Sequence, residues 1–219
     1  MSKQLLTWAI YKSAGCQLEQ MLFSGYSFTM RTMQSSPTNS TRKYASGNLI
    51  LVGMMGSGKT TMGRILAKHL NKVFVDSDEE IQHRTGVTIP HIFDVEGEPG
   101  FRQRETAALE ALMCRDDLVL ATGGGAVIAE ENREMMRQNG IVIYLKAGVH
   151  DLWLRTRNDR NRPLLQTGNV HAKLAELLHQ RDGLYQQVAD IVMPTGRQSV
   201  HALMLKLAGE IEAYRKNNQ

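Results

Sequence analysis

Residues Asn48 to Leu70 read NLILVGMMGSGKTTMGRILAKHL. Leu49 to Val52 is a short apolar, β-prone run and reads as a buried strand. Gly53, Met54, Met55, Gly56, Ser57, Gly58, Lys59 and Thr60 follow in the order G-x-x-x-x-G-K-T, the Walker A pattern. Ile65, Leu66, Ala67 and Leu70 then recur at helical spacing. The residue types suit a phosphate. Glycines let backbone N–H groups close around an anion with no Cβ in the way. The helix start adds unpaired N–H groups and a positive dipole end. Lys59 can reach the β- and γ-phosphates, and Thr60 can offer a hydroxyl to Mg²⁺. The bland alternative is a glycine-rich turn that binds nothing. The strand before it and the helix after it speak for the phosphate loop.

Downstream, Lys72 to Asp76 reads as a second strand running into Asp76, Ser77 and Asp78. Two carboxylates one residue apart at a strand's carboxyl end fall at the crevice of an open α/β sheet. One can anchor hydrated Mg²⁺ while the other accepts a substrate hydroxyl. Alternatively, Asp76 or Asp78 only caps a helix starting at Glu79. Thr88 to Val95 predicts a short helix with Ile89, Ile92 and Phe93 inward and Val95 as a further candidate for that face, and Gly100 to Cys114 a longer one with Leu109 and Leu112 inward. Arg102 near the start of that second helix opposes the dipole. Either it holds a small-molecule carboxylate, which suits its fork, or it is a surface arginine paired with Glu98 or Glu105.

Leu118 to Thr122 predicts a third, central strand, and Gly123, Gly124 and Gly125 follow at once. Such a triplet fits a ligand close to the main chain, a positive φ, or a plain flexible turn. Ala129 to Gln138 predicts a helix carrying Met135 and Met136 as core fillers. Ile141 to Leu145 predicts a strand and His150 to Asn158 a helix with Arg155. Residues 158–169 are polar and basic, with Arg160 and Arg162, and read as a lid or as an ordinary surface loop. Val170 to Gln180 predicts a helix with Leu174, Leu177 and Leu178 inward, and Arg181 to Val188 a further helix with Tyr185 and Val188 packed and Arg181 at the junction, placed to point back to the crevice. Asp190 to Met193 predicts a fifth strand, and Pro194 to Arg197 a turn that could border an adenine. Ser199 to Tyr214 predicts a closing helix capped by Ser199 and buried through Val200, Leu203, Leu205, Leu207 and Ile211. Five strands alternating with helices over short connections predict a parallel sheet.

At 219 residues the chain is one domain with room for an extension. The formal charge is +4, but residues 1–45 alone carry net +4 and the remainder holds 21 basic and 21 acidic residues. A neutral folded part gives no footprint for nucleic acid. The longest apolar runs are too short to cross a bilayer. Cys16 and Cys114 form no ligand cluster and no disulfide pattern, so a reducing cytoplasm is expected. The seven histidines are scattered and imply no zinc site. Residues 1–47 read as a mobile extension outside the chemistry, with a working domain at 48–216. An organellar transit role, or translation starting at Met30 or Met33, are the other readings of that extension.

The Walker loop alone does not separate ATPases, GTPases and small-molecule kinases. No N-K-x-D guanine motif is present, and the strand at 118–121 runs into TGGG rather than an acidic end. The segments GMMGSGKTTMGRILA, DSDEEIQHRTG, IFDVEGEPGFRQRE, ATGGGAV, RNRPLL and RDGLYQQVAD together resemble the shikimate kinase family over residues 48–215. The resemblance implies a three-layer P-loop fold with helices on both faces of a five-stranded sheet of order 2-3-1-4-5, and a small lid. It implies Mg²⁺-dependent transfer of the γ-phosphoryl of ATP to the 3-hydroxyl of shikimate, by a monomer with no obligate protein partner. In that family pattern Asp78 contacts the reacting hydroxyl, and Thr60 and Asp76 hold Mg²⁺. Arg102 and Arg181 grip the shikimate carboxylate beside Gly123 to Gly125, with Phe93 and Phe101 as the apolar wall. Gly56, Ser57, Gly58, Lys59, Thr60 and Thr61 hold the nucleotide. Arg155 packs on adenine, Arg162 reaches the phosphates from the lid, and Arg197 borders the base. Methionine at 55, where the family often has proline, and His91, where a larger aromatic is common, depart from the pattern. A gluconate-kinase-like enzyme and a non-catalytic ATP-binding regulator are the rival functions.

Overall fold

Strand β1 (Leu49–Val52) is buried on both faces, as a central strand must be. The computed structural model describes residues 47–157, 163–165, 169–196 and 198–218, which belong to one unit of the chain. Five parallel strands stand in the order β2-β3-β1-β4-β5, with β2 Val73–Asp76, β3 Leu118–Ala121, β4 Ile141–Ala147 and β5 Ile191–Thr195. The centre is therefore β1, and the expectation of a central third strand is corrected: β3 lies between β1 and the edge strand β2.

Alternation along β1 divides the core. Leu49 and Leu51 face α1 (Lys59–Leu70) and α7 (Val200–Asn217), packing with Met62, Leu66, Leu203 and Leu207. Ile50 and Val52 face the other layer and pack with Leu109, Leu112, Met136, Leu152, Leu174 and Tyr185. Those residues come from α3 (Ile89–Met113), α4 (Glu130–Asn139), α5 (Val149–Thr156) and α6 (Val170–Val188). A third, separate cluster of Ile81, Ile92, Phe101 and Ala108 joins α2 (Ser77–Thr85) to α3.

Several local expectations change. The two helices predicted here do stand within α3, joined at a kink where Gly97 has a non-helical φ of 69° and ψ of −176°, with Pro99 just beyond. Helix α6 has no break at Arg181. Leu174, Leu177, Arg181, Tyr185 and Val188 form one buried stripe along it, and continuous burial sustains one helix. Pro194 and Thr195 belong to β5 rather than to the following turn; β5 is an edge strand, where a missing N–H is tolerated. Ser199 caps α7 as expected, accepting from Ala202 N at 3.2 Å. Val200 and Leu205 are exposed, however, and Met204 is buried instead, because the buried stripe runs through Leu203, Leu207 and Ile211. Among the described residues no helix is long and apolar enough to cross a membrane.

Candidate active site

The carboxyl ends of β1, β2 and β3 carry the site. After β1, the backbone turns through Gly56 (φ 78°) and Gly58 (φ 99°), conformations that a residue with a Cβ rarely adopts. Gly58 is the N-cap of α1, no side chain caps that helix start, and no acidic residue occupies its first turn. The first amides of α1 are thus left to an anion. Lys59 is nearly buried, and its Nζ donates to the carbonyls of Gly53 at 2.8 Å and Met54 at 3.0 Å. Thr60 Oγ1 donates to Asp76 Oδ2 at 2.9 Å.

Asp76 has a second task. Its Oδ1 accepts from Asp78 N at 3.0 Å, capping α2, which begins at Ser77 rather than at Glu79. A cap contributes about 1 kcal/mol, so Asp76 is oriented by the helix that it starts. The capping reading of Asp76 holds, and the same residue lines a cavity. Ser77 is wholly buried and its Oγ accepts from Gly123 N at 2.9 Å, tying the carboxylate pair to the glycine triplet.

These residues border a cavity of about 500 Å³ lined by Gly56, Gly58, Lys59, Thr60, Thr61, Asp76, Asp78 and Arg155 among others. A smaller one of about 200 Å³ opens beside it between Ser57, Thr61, Arg155, Thr195 and Gly196. Arg155 bridges the two rims, donating to the carbonyls of Gly56 at 3.1 Å and Gly196 at 3.4 Å.

A third cavity, of about 450 Å³, lies on the other side of Asp78. Asp78, Phe93, Phe101, Arg102, Gly123, Gly124, Gly125 and Arg181 all line it, so every residue expected on the acceptor side meets there. The Phe93 and Phe101 rings are 4.8 Å apart and form an apolar wall. Asp78, Gly124, Met55 and Gln82 line both the 450 Å³ and the 500 Å³ cavities.

Arg102 makes both of the ion pairs that one reading of it expected. It pairs with Glu98 and with Glu105, each at 2.7 Å, while lining the cavity. Nε and Nη2 serve Glu98, and Nη1 serves Glu105. Of the five N–H groups on a guanidinium, one on each terminal nitrogen is left for another anion. Glu105 is wholly buried; burial pushes its carboxyl above the usual range, while Arg102 and then Arg181 pull it back. Separating such a pair costs about 3–5 kcal/mol, far more than the roughly 0.3–1 kcal/mol of an unfavourable dipole. That difference explains an arginine near a helix start. Arg181 is also buried; its Nη1 donates to Gly124 O at 3.3 Å and its Nε has no hydrogen-bond partner.

None of the triplet glycines has a positive φ, so close approach is what selects them. A Cβ on Gly125 would collide with the Arg102 guanidinium, and one on Gly123 with Glu105 and with Asp78 Oδ1. One on Gly124 would stand 3.2 Å from Met55 N.

Arg162 and Arg197, expected at the phosphates and the base, lie outside the described residues, as does most of the 158–169 lid. Pro163–Leu165 forms a 3₁₀ turn whose Leu164 reaches the acceptor cavity. From the sequence alone Ser77 and Gln82 have no expected site role, Tyr185 is expected only to pack, and Glu105 is named only as a possible partner of Arg102. The signals were faint: a serine between two aspartates, and a glutamate and a tyrosine three and four residues beyond the key arginines.

A family model described as shikimate kinase matches residues 55–212. The shikimate kinase of Nitrosomonas europaea is 52% identical over 195 residues, covering 89% of this chain and 91% of that protein. That match is longer than 48–216, so it takes in part of the N-terminal region. The Nitrosospira multiformis shikimate kinase is 56% identical over 167 residues, 76% of this chain and 86% of that protein. Among solved structures, a shikimate kinase from Acinetobacter baumannii in complex with shikimate aligns with TM-score 0.75 and 50% identity, covering 76% of this chain and 93% of the other.

Proposed function

The chain belongs to the shikimate kinase family, and on that premise we propose how its residues divide the work. The reaction moves the γ-phosphoryl group of ATP to the 3-hydroxyl of shikimate, leaving ADP and shikimate 3-phosphate on the route to chorismate and the aromatic amino acids. The observation that carries the assignment of roles is the shared boundary: Asp78 and Gly124 line both large cavities. A terminal phosphate in one and a hydroxyl in the other meet at Asp78.

ATP phosphates occupy the 500 Å³ cavity, with the base toward Arg155, Thr195 and Gly196. Lys59 leaves the Gly53 and Met54 carbonyls for the β- and γ-phosphates. The carboxylate of shikimate takes the remaining N–H groups of Arg102 together with Arg181, and its ring lies against Phe93 and Phe101. Asp78 orients the 3-hydroxyl and accepts its proton as the O–P bond forms. Loose phosphoryl transfer asks mainly for alignment and charge neutralisation, and Lys59, the α1 amides and the lid arginine Arg162 supply the latter. Arg197 closes over the base.

Thr60 Oγ1 and Asp76 Oδ2 present hard oxygens to the phosphate cavity at hydrogen-bond distance from each other, which fits Mg²⁺. Among the described residues no group of three or more His, Cys, Asp or Glu side chains could hold a metal alone, as suits an ion carried largely by phosphates and water. Held there together with ATP, Mg²⁺ would supply charge neutralisation for the transferred phosphoryl group.

Parallel assays of ADP release with shikimate, gluconate and no acceptor test the reading. Turnover should require shikimate and yield a phosphate ester at its 3-hydroxyl. Turnover with gluconate alone, or without acceptor, would overturn the assignment.

A further inference from the structure

The loop from Gly123 to Ile128 is held by side chains of three helices. Ser77 takes the Gly123 N–H, Asn132 Nδ2 donates to Ala126 O at 3.0 Å, and Arg133 Nη1 donates to Val127 O at 2.7 Å and Ile128 O at 2.9 Å. The carbonyl between them, that of Gly124, receives the Tyr185 hydroxyl and Arg181 Nη1. Tyr185 is wholly buried, and its ring stacks on Tyr144 with centroids 4.9 Å apart. The same hydroxyl is 3.6 Å from Met54 Sδ, inside the phosphate loop. One buried hydroxyl thus touches both the loop of the nucleotide cavity and the loop of the acceptor cavity, yet Tyr185 lines neither cavity.

We propose that Tyr185 is a positioning residue for phosphoryl transfer: through the Gly124 carbonyl, its hydroxyl sets the spacing between the acceptor hydroxyl and the γ-phosphate. Three glycines have no side chains to hold their peptide planes, and their backbone freedom is high. A planar peptide means that holding the Gly124 carbonyl also orients the Gly125 N–H. Misplacing reacting groups by an ångström costs about a hundredfold in rate, so a fraction of that displacement is kinetically visible. Burial raises the Tyr185 hydroxyl above its ordinary pKa, so it remains a donor. The proposal rests on the assignment of the two cavities made above.

Tyr144 supplies the comparison. It is equally buried, but its hydroxyl donates to Asp182 Oδ1 at 2.7 Å, and neither residue lines a cavity of the site. Full-length Tyr185→Phe and Tyr144→Phe enzymes are assayed well below their melting temperatures. For Tyr185→Phe, kcat should fall about tenfold, the effect of one hydrogen bond to a positioned group. KM for ATP and shikimate should stay within about twofold, and ATP consumed per shikimate phosphorylated should rise above one. Tyr144→Phe should lower Tm and leave kcat unchanged. Placing 4-aminophenylalanine at 185, which keeps a donor, should restore kcat, whereas 4-fluorophenylalanine should not; this pair keeps the test decisive if Tyr185→Phe fails to fold. A Tyr185→Phe enzyme with a lower Tm but wild-type kcat, or equal rates for the amino and fluoro forms, overturns the positioning role. A wild-type enzyme inactive on shikimate would instead overturn the functional assignment itself.

Discussion

The nucleotide cavity and the acceptor cavity share Asp78 and Gly124 but are made of different material. The first is a backbone site: glycines at φ 78° and 99°, an uncapped helix start, and one lysine resting on two carbonyls. Nearly half of its lining residues fall between Met55 and Thr61. The second is a side-chain site. Asp78, Phe101, Arg102, Glu105 and Arg181 arrive from three helices, and its charges already pair with one another through Arg102, Glu98 and Glu105. A backbone cradle depends on conformation. A side-chain clamp depends on charge balance, because a buried ion left alone costs more than the pair is worth. Substitutions should therefore divide cleanly between the two cavities.

The most severe test of that division falls on the boundary. Asp78→Asn should reduce kcat by about a thousandfold, within the range for losing a general base, while ATP affinity stays near wild type. Titration with a non-hydrolysable ATP analogue checks this, and an affinity that drops as far as turnover would merge the two cavities into one unit. Next in size, Arg102→Ala should raise the KM for shikimate by about a hundredfold, the effect of losing a charge-assisted bidentate contact. The KM for ATP should hold, and steady-state kinetics with each substrate varied separately would show whether it does.

The smallest effect concerns Glu105. Its folded carboxyl is raised by burial above the unfolded value, with Arg102 opposing. The folded state therefore holds the proton at a pH where the unfolded chain has released it. That contribution to stability is fully present below the ordinary carboxyl range and is lost as pH rises through the raised value. Glutamine cannot titrate. The Tm of the wild type minus that of Glu105→Gln should thus fall by a few degrees from about pH 4 to about pH 8. A flat or rising difference, read by differential scanning fluorimetry, would mean that the pairing with Arg102 outweighs burial.

The same contrast explains what could be read in advance. The phosphate loop, the strand count and the helix caps are local: Gly58 before Lys59, or Ser199 before Ala202, specify geometry within a few residues. Helix ends and strand limits moved because burial overrode local signals, as where Pro194 joined an edge strand and Arg181 sat inside a buried stripe. The residues that line the 450 Å³ cavity were named singly, by type and by family resemblance. Ser77 escaped, and Glu105 and Tyr185 were legible only as an ion-pair partner and a packed ring, because a buried glutamate, a serine and a tyrosine gain further meaning only from what they touch.

From the order of its residues alone, the chain specified a phosphate loop between a strand and a helix, an alternating α/β pattern, and the residue types of a small acid's pocket. Those features are short-range, since backbone conformation and side-chain period are set within one or two turns. Which charges meet, which glycine gives way to which side chain, and that one tyrosine hydroxyl touches both loops came from packing. Contacts such as Tyr185 to Gly124, 61 residues apart, exist only once the sheet order has brought the segments together.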